Sequence, residues 1–291
     1  MNGKGTANAP TGTGATGARA VVTKRSYDDA CGAAHALDLV GERWALLVVR
    51  ELLLGPKRYS DLLADLPGIS TTVLSHRLTE LERGGVVRRR ELPPPAASRV
   101  YEPTEWGAEL EPVIMAFGRW GARSPAHRRD LHLSVNSFVL SLRTNFDAER
   151  AAGVRTEVLL RPGGRPFLAR VADGRLRIRP MDPAGAPAPV TRGDHTDHTD
   201  GPDPDGAQTD TDTDTGTGPG TATGPRADIA GPPGGLAAVV YGGVGLAEAR
   251  EGFGVGITGD REAARRFLSL FTLPDPARPA GDTGTNGPAG G

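Results

Sequence analysis

The sequence predicts an α+β protein built from two folded blocks. Three observations carry that reading. Apolar residues recur at helical spacing from Ser26 to about Gly121, and short apolar runs of strand length flank the pair Asp173-Gly174. The excess of 41 Gly and 25 Pro among 291 residues is not spread evenly, so soft segments bound the blocks. Residues 1–24 hold almost nothing to bury and the tail 274–291 is similar, so both are expected to be disordered. The first domain then spans 25–121, the basic, proline-containing stretch 122–130 is a link, and the second domain spans 131–273.

Within the first domain a helix is expected around Tyr27–Leu39. ERWALLVVRELLLG (42–55) is apolar on nearly every face and reads as a buried central helix. YSDLLADL (59–66) reads as a short helix with Ser60 as N-cap, broken by Pro67-Gly68, and Ile69 plugs the turn. Ser70 caps a third helix over 71–83 that stops at Gly84-Gly85. Helix, tight glycine turn, helix is the helix-turn-helix arrangement.

Rotating the third helix by about 100° per residue sends Leu74, Leu78 and Leu81 to the core. Thr72, Ser75, His76, Thr79 and Arg83 face the other way, a small hydrogen-bonding surface suited to base edges in a DNA major groove. Arg77 lies on the flank, towards phosphate, and Thr71 with the free amides behind Ser70 offers an anion site. The plainer roles are a simple cap for Ser70, a solvated His76 and a core Trp44. VVRRREL (86–92) and RVYEP (99–103), joined by PPPAAS, read as a hairpin. Its cations, Arg88, Arg89, Arg90 and Arg99, are placed to straddle phosphates or enter a minor groove. Thr104 then caps a helix whose stripe Leu110, Val113, Ile114, Phe117 and Trp120 is wider than the remaining interior, which assigns it to a partner subunit. Two-fold symmetry predicts a palindromic operator with half-sites about one helical turn apart.

Residues 31–121 resemble the HxlR-type branch of the winged helix-turn-helix regulators, which is similar to the MarR group. The residues that carry the resemblance begin with Cys31, Gly41-Glu42-Arg43-Trp44, Arg50-Glu51-Leu52, Gly55 and Arg58-Tyr59. They continue through Leu66-Pro67-Gly68-Ile69-Ser70, Leu74-Ser75-His76-Arg77-Leu78, Leu81-Glu82 and Gly85. They end at Tyr101, Thr104, Gly107, Leu110 and Trp120-Gly121. Pro103 departs from the pattern, where the family usually has Leu. The resemblance implies a winged fold and a homodimer joined through terminal helices.

In the second domain LHLSVNSFVLSL (131–142) follows helical spacing, and RTEVLLR (155–161) and PFLARV (166–171) read as strands. Asp173-Gly174 turns the chain into a further strand, RLRIR (175–179). The acidic, hydrophobe-poor tract 181–235 is an insertion or linker. LAAVVYGGVGLAEA and DREAARRFLSLF (260–271) read as helices, the latter capped by Asp260. This block resembles the sterol-carrier-like fold through its hairpin, Ala227-Asp228-Ile229, Gly243 to Ala249, Gly259-Asp260 and Phe271. The resemblance implies helices over a sheet and either a pocket that senses a hydrophobic small molecule or a filled structural core.

The formal charge is −1, but residues 181–235 hold ten Asp and two Arg, so the remainder is net positive and nucleic acid stays open as a partner. No apolar run is long enough to cross a bilayer and the N-terminus lacks a signal-peptide core, so a cytoplasmic protein without membrane contact is expected. The single Cys31 excludes an intrachain disulfide and an all-cysteine metal site, and leaves open a disulfide between subunits or a lone reactive thiol. On a helix it would sit near His35 and Asp28, which act oppositely on its thiol, leaving inert packing or a redox thiol. Gly254-x-Gly256-x-x-Gly259 follows no strand, Asp210-x-Asp212-x-Asp214 lacks the Gly and Glu of a calcium loop, and His195 and His198 bind metal only adventitiously. No catalytic motif, metal site or cofactor is expected. The reading is a non-enzymatic homodimeric regulator of double-stranded DNA, repression being the simplest output. The competing class is a small-molecule or lipid carrier whose winged domain only mediates dimerisation.

Overall fold

A helix that is apolar on nearly all sides organises the first domain. The computed structural model describes residues 26–94, 97–181 and 226–277. Helix α1 spans Gly32–Val40 and α2 spans Ala45–Leu52, whose Val48, Val49 and Leu52 are fully buried. Both helices are shorter than the apolar pattern suggests. Residues 26–30 carry no regular structure, and Cys31 is the N-cap of α1. Trp44 adopts a left-handed φ of 79°, which no helix interior accommodates, so α2 starts after it and Glu42 and Arg43 stay outside.

Helices α3 (Tyr59–Asp65) and α4 (Thr71–Arg83) follow. Ser60 is not the cap of α3: Arg58 holds that position, and the Asp61 carboxylate accepts its backbone N–H at 3.1 Å. Leu74, Leu78 and Leu81 of α4 are buried with Leu62, Leu66 and Ile69. Strands β1 (Val87–Glu91) and β2 (Arg99–Pro103) pair antiparallel, and Pro103, opposite Val87, sits at the end of the ladder. The helix after Thr104 is split into α5 (Glu105–Ala108) and α6 (Leu110–Ala122). Pro112 has no N–H for the Ala108 carbonyl, which explains the break. Thr104 fixes the corner: its hydroxyl accepts the Gly107 N–H at 2.9 Å and donates to the Gly85 carbonyl at 2.7 Å. Gly107 is obligatory there, since a Cβ would lie 1.9 Å from the Val86 carbonyl oxygen.

The second domain opens with α7 (Val135–Thr144), capped by Ser134; Leu131, expected within it, lies before the helix and is exposed. Strands β3 (Thr156–Pro162), β4 (Phe167–Ala172) and β5 (Arg175–Pro180) form a meander. Asp173 and Gly174 both have positive φ, 51° and 70°, as a two-residue hairpin turn demands. Next come β6 (Ala227–Gly231), α8 (Pro233–Gly242), α9 (Leu246–Gly252), β7 (Gly256–Gly259) and α10 (Arg261–Leu268). The sheet order is β5-β4-β3-β6-β7, with only the β3–β6 pair parallel. Alternate residues on one face, among them Val158, Leu160, Phe167, Ala169 and Ile229, are buried with Phe138 of α7 and Phe267 of α10.

Three boundaries change. The expected insertion 181–235 is too long, because β6 and the start of α8 fall inside it and the Met181 N–H bonds the Pro166 carbonyl at 2.9 Å. The tail does not begin loose at Pro274: the Ala277 N–H reaches the Arg123 carbonyl at 2.7 Å and Arg123 Nε the Asp275 carbonyl at 2.9 Å. The motif at Gly254–Gly259 contains strand β7 itself. The expected N-terminal tail, His195, His198, the Asp210–Asp214 repeat and the chain beyond 277 lie outside the described residues.

Candidate nucleic-acid interface

Ser70 ends the turn in extended conformation, and its hydroxyl accepts the Val73 N–H at 3.2 Å, fixing the start of α4. From there Ser70, Thr71, Thr72, Ser75, His76 and Thr79 are all exposed along one side of the helix. Tyr59 ties that side to α3: its hydroxyl donates to the Thr71 carbonyl at 2.7 Å and lies 3.2 Å from Ser75 Oγ. Thr79 donates back to the Ser75 carbonyl at 2.9 Å, which leaves its hydroxyl oxygen able to accept. His76 is solvated, with Nδ1 3.3 Å from Glu80. Arg77 corrects the sequence reading. Its side chain is only 14% exposed and pairs with Glu80 at 2.5 Å and with Glu42 at 3.7 Å, so it is anchored within the domain, not extended towards phosphate.

The hairpin arginines are exposed but engaged. Across the ladder Glu102, itself nearly buried, receives Arg88 at 2.8 Å and Arg90 at 2.9 Å. On the opposite side of β1 Arg89 pairs with Glu82 of α4 at 3.1 Å and lies 5.3 Å from the Tyr101 ring centroid. Arg99 is exposed at the hairpin end. Sequence reasoning missed Arg58, whose exposed guanidinium donates to Ser98 at 3.1 Å and joins the cap of α3 to the hairpin. Its place immediately before the α3 pattern was the available signal.

The apolar stripe on α6 divides. Leu110 and Ile114 pack against the first core, whereas Val113, Phe117 and Trp120 are 52%, 62% and 71% exposed. Phe117 and Trp120 stack at 5.9 Å. Leu37 of α1 and Tyr27 ahead of it are also exposed. Cys31 is exposed, not packed in an apolar helix. The Ala34 and Ala33 amides at the start of α1 pull its thiol below the usual range, and Asp29 accepts its backbone N–H at 2.9 Å.

The sequence reading assigned no role to Glu51, which joins the domains. Its fully buried carboxylate accepts Lys57 Nζ at 2.9 Å, Arg50 at 2.7 Å and Ser134 Oγ at 2.7 Å, while Asn136 of α7 donates to its carbonyl at 2.8 Å. Burial pushes the carboxyl pKa up, but the charges of Lys57 and Arg50 with the Lys57 and Ser134 hydrogen bonds outweigh this and hold it below the usual range. Lys57 also pairs with Asp65 of α3, and its backbone bridges Tyr101 of β2. Further along, Arg143 of α7 grips Glu111 of α6 at 2.6 Å. A polar cleft of about 620 Å³ opens beside this junction, lined by residues such as Arg119, Arg123, Asn145 and Asp147. Among the described residues no group of three acidic, His or Cys side chains is placed to hold a metal, and no helix is long and apolar enough to cross a membrane.

A recognition-type helix set beside a two-stranded basic hairpin, both carried on a short helix-turn-helix, defines a winged helix-turn-helix domain. A family model described as HxlR-like helix-turn-helix matches residues 39–128. The uncharacterized HTH-type transcriptional regulator sll1512 of Synechocystis is 38% identical over 92 residues, which cover 32% of this chain and 68% of that protein. The uncharacterized HTH-type transcriptional regulator YvaP of Bacillus subtilis is 40% identical over 85 residues, 29% of this chain and 79% of that one. Among solved structures, the reduced form of the transcriptional regulator YodB from B. subtilis matches at 33% identity, covering 33% of this chain and 95% of that chain with a TM-score of 0.30. The chain belongs to the HxlR-like helix-turn-helix family.

Proposed function

We propose that the protein is a DNA-binding transcriptional regulator that acts as a homodimer on a palindromic operator and represses by occupying the promoter. The observation that carries this is the exposed row Ser70, Thr72, Ser75, His76 and Thr79 on α4, lying beside Arg58, Arg88, Arg89, Arg90 and Arg99. Small hydroxyls and an imidazole read base edges, while the arginines exchange their carboxylate partners for phosphates. Arg77 supports α4 from behind. Val113, Phe117 and Trp120 meet their copies across the two-fold axis, a reading supported by an exposed stacked aromatic pair on a terminal helix. The second domain is sterol-carrier-like and tunes this activity by sensing a hydrophobic small molecule, a reading supported by helices laid over one face of its sheet. Cys31 is a candidate redox thiol; an inducer response unchanged in Cys31→Ser would end that idea.

The test is a gel shift on the protein's own upstream DNA across a salt series. Arg89→Ala is expected to weaken binding to all sequences and flatten the salt dependence, whereas His76→Ala alters sequence preference. A wild-type protein that shifts no DNA at any salt concentration refutes the proposal.

A further inference from the structure

The cleft between α6 and the second domain is bordered by charges of both signs that do not pair with one another. Its volume of about 620 Å³ lies in the range of small-molecule sites and exceeds what a single ion needs. Arg119, in the last turn of α6, and Arg123, at its C-cap, stand one helical turn apart along one side of the cleft. Arg119 Nη1 donates to the Thr144 carbonyl at the end of α7 at 3.2 Å, and Arg123 Nε donates to the Asp275 carbonyl at 2.9 Å. Each guanidinium is thus steered by one backbone contact and keeps its other N–H donors available. Neither has a carboxylate partner among the described residues.

Three acids border the same space. Asp147 is engaged: its Oδ1 accepts the Glu149 and Arg150 amides at 3.1 and 3.0 Å, and its other oxygen pairs with Arg150 at 3.3 Å. The carboxylates of Glu149 and Asp275 have no cationic partner among the described residues. The backbone around them is fixed. The Asp147 N–H bonds the Leu270 carbonyl at 2.8 Å, the Thr272 N–H bonds the Asn145 carbonyl at 2.9 Å, and the Phe146 ring lies 6.0 Å from that of Phe271. At its far end the segment reaches α6 through the Ala277 N–H and the Arg123 carbonyl at 2.7 Å, so residues 273–276 strap the second domain to α6. Phe146, Leu273 and Pro274, all half-buried, add apolar lining. A simple anion would answer the arginines but face the two free carboxylates, and a purely hydrophobic compound would leave both sets unanswered. A molecule with one charge of each sign and an apolar body matches all three.

We propose that this cleft binds a small zwitterion, an amino acid or dipeptide, whose carboxylate is held by Arg119 and Arg123 and whose ammonium is held by Glu149 and Asp275. The site is separate from the interior of the second domain and from the face that carries α4, so the proposal stands whether or not the operator reading holds. The test is thermal unfolding of the full chain with each common L-amino acid and with glycyl dipeptides, followed by calorimetric titration of those that stabilise. At least one is expected to raise Tm by about 5–10 °C at about a hundredfold excess over its dissociation constant. Its N-acetyl derivative, which lacks the ammonium, and its carboxamide, which lacks the carboxylate, should each bind about tenfold more weakly or worse. Arg119→Gln and Glu149→Gln should each weaken binding by about the same factor. Both side chains are exposed, so the unliganded Tm of these variants should match wild type. No stabilisation by any amino acid or dipeptide overturns the proposal. An N-acetyl or carboxamide derivative that binds as tightly as its parent also overturns it, reducing the cleft to a site for a single charge. Binding unchanged in both variants overturns it as well, placing the ligand elsewhere.

Discussion

Glu51→Gln tests how tightly the two domains are bound into one unit. The substitution keeps the side-chain shape but replaces a buried carboxylate that satisfies Lys57, Arg50 and Ser134 at 2.7–2.9 Å. Breaking a buried ion pair by removing one partner costs about 3–5 kcal/mol. Lys57 retains Asp65, so the lower end, about 3 kcal/mol, is expected. For a chain of this size that corresponds to a fall in Tm of roughly 6–12 °C. The pH dependence adds a second, independent check. The folded pKa of Glu51 lies below its ordinary 4.5, so its contribution is complete above pH 4.5 and is lost as pH falls through the lower folded value. The gap between wild type and Glu51→Gln should therefore be constant near neutrality and close on acidification below that point. Scanning calorimetry from pH 7 to pH 3 measures both. A Tm difference below about 1 °C at pH 7, or a gap that widens as the pH falls below 4.5, would show that Glu51 is not the keystone described above.

Four further outcomes are expected. Ser70→Ala removes the cap on Val73 and should cost about 1 kcal/mol in urea unfolding, whereas Ser70→Asp should not; equal losses would deny the capping role. Phe117→Ser with Trp120→Ala should convert the proposed dimer into a monomer in sedimentation runs at micromolar concentration; a monomeric wild type would refute the dimer, and an unchanged dimer would place the interface elsewhere. Iodoacetamide labelling of Cys31 should follow a pH–rate midpoint below the ordinary 9.0 and be unmoved by His35→Asn, because the cause is the Ala34 and Ala33 amides; a midpoint at or above 9.0 contradicts this. Gly107→Ala should destabilise by about 1–3 kcal/mol or more, since the new Cβ meets a backbone oxygen that cannot swing aside, and wild-type stability would refute the close approach.

What the sequence disclosed was mostly local chemistry. The bounds of α4 were readable because a capping Ser and paired Gly residues mark its ends, and the β4–β5 hairpin because Asp-Gly suits its turn. What was hidden depended on partners distant in sequence or on single backbone angles. Trp44 in the left-handed region shortened α2, Pro112 split the helix after Thr104, and Asp61 moved the α3 cap from Ser60 to Arg58. Arg77 misled the rotation argument because its flank faces Glu80 and Glu42; the i,i+3 spacing to Glu80 was available but competed with a phosphate role. Glu51 could not be found from pattern alone, because Ser134 and Asn136 lie 83 and 85 residues away. Strands β6 and β7 are short and rich in Gly and Ala, and they escaped because β6 is supported by β3 and β7 by β6, not by their own composition.

The corner built by Thr104 and Gly107 has a mechanical consequence. With no space for even one methyl group between α5 and the Val86 carbonyl, the hairpin and the helices after it move as one piece. In the proposed dimer, a rotation of α6, whether from a pull of Arg143 on Glu111 or a change of angle between protomers, is expected to carry the hairpin tips with it like the arms of a caliper. In the proposed dimer the permitted gap between half-sites is then set at this joint, some distance from any group that touches a base.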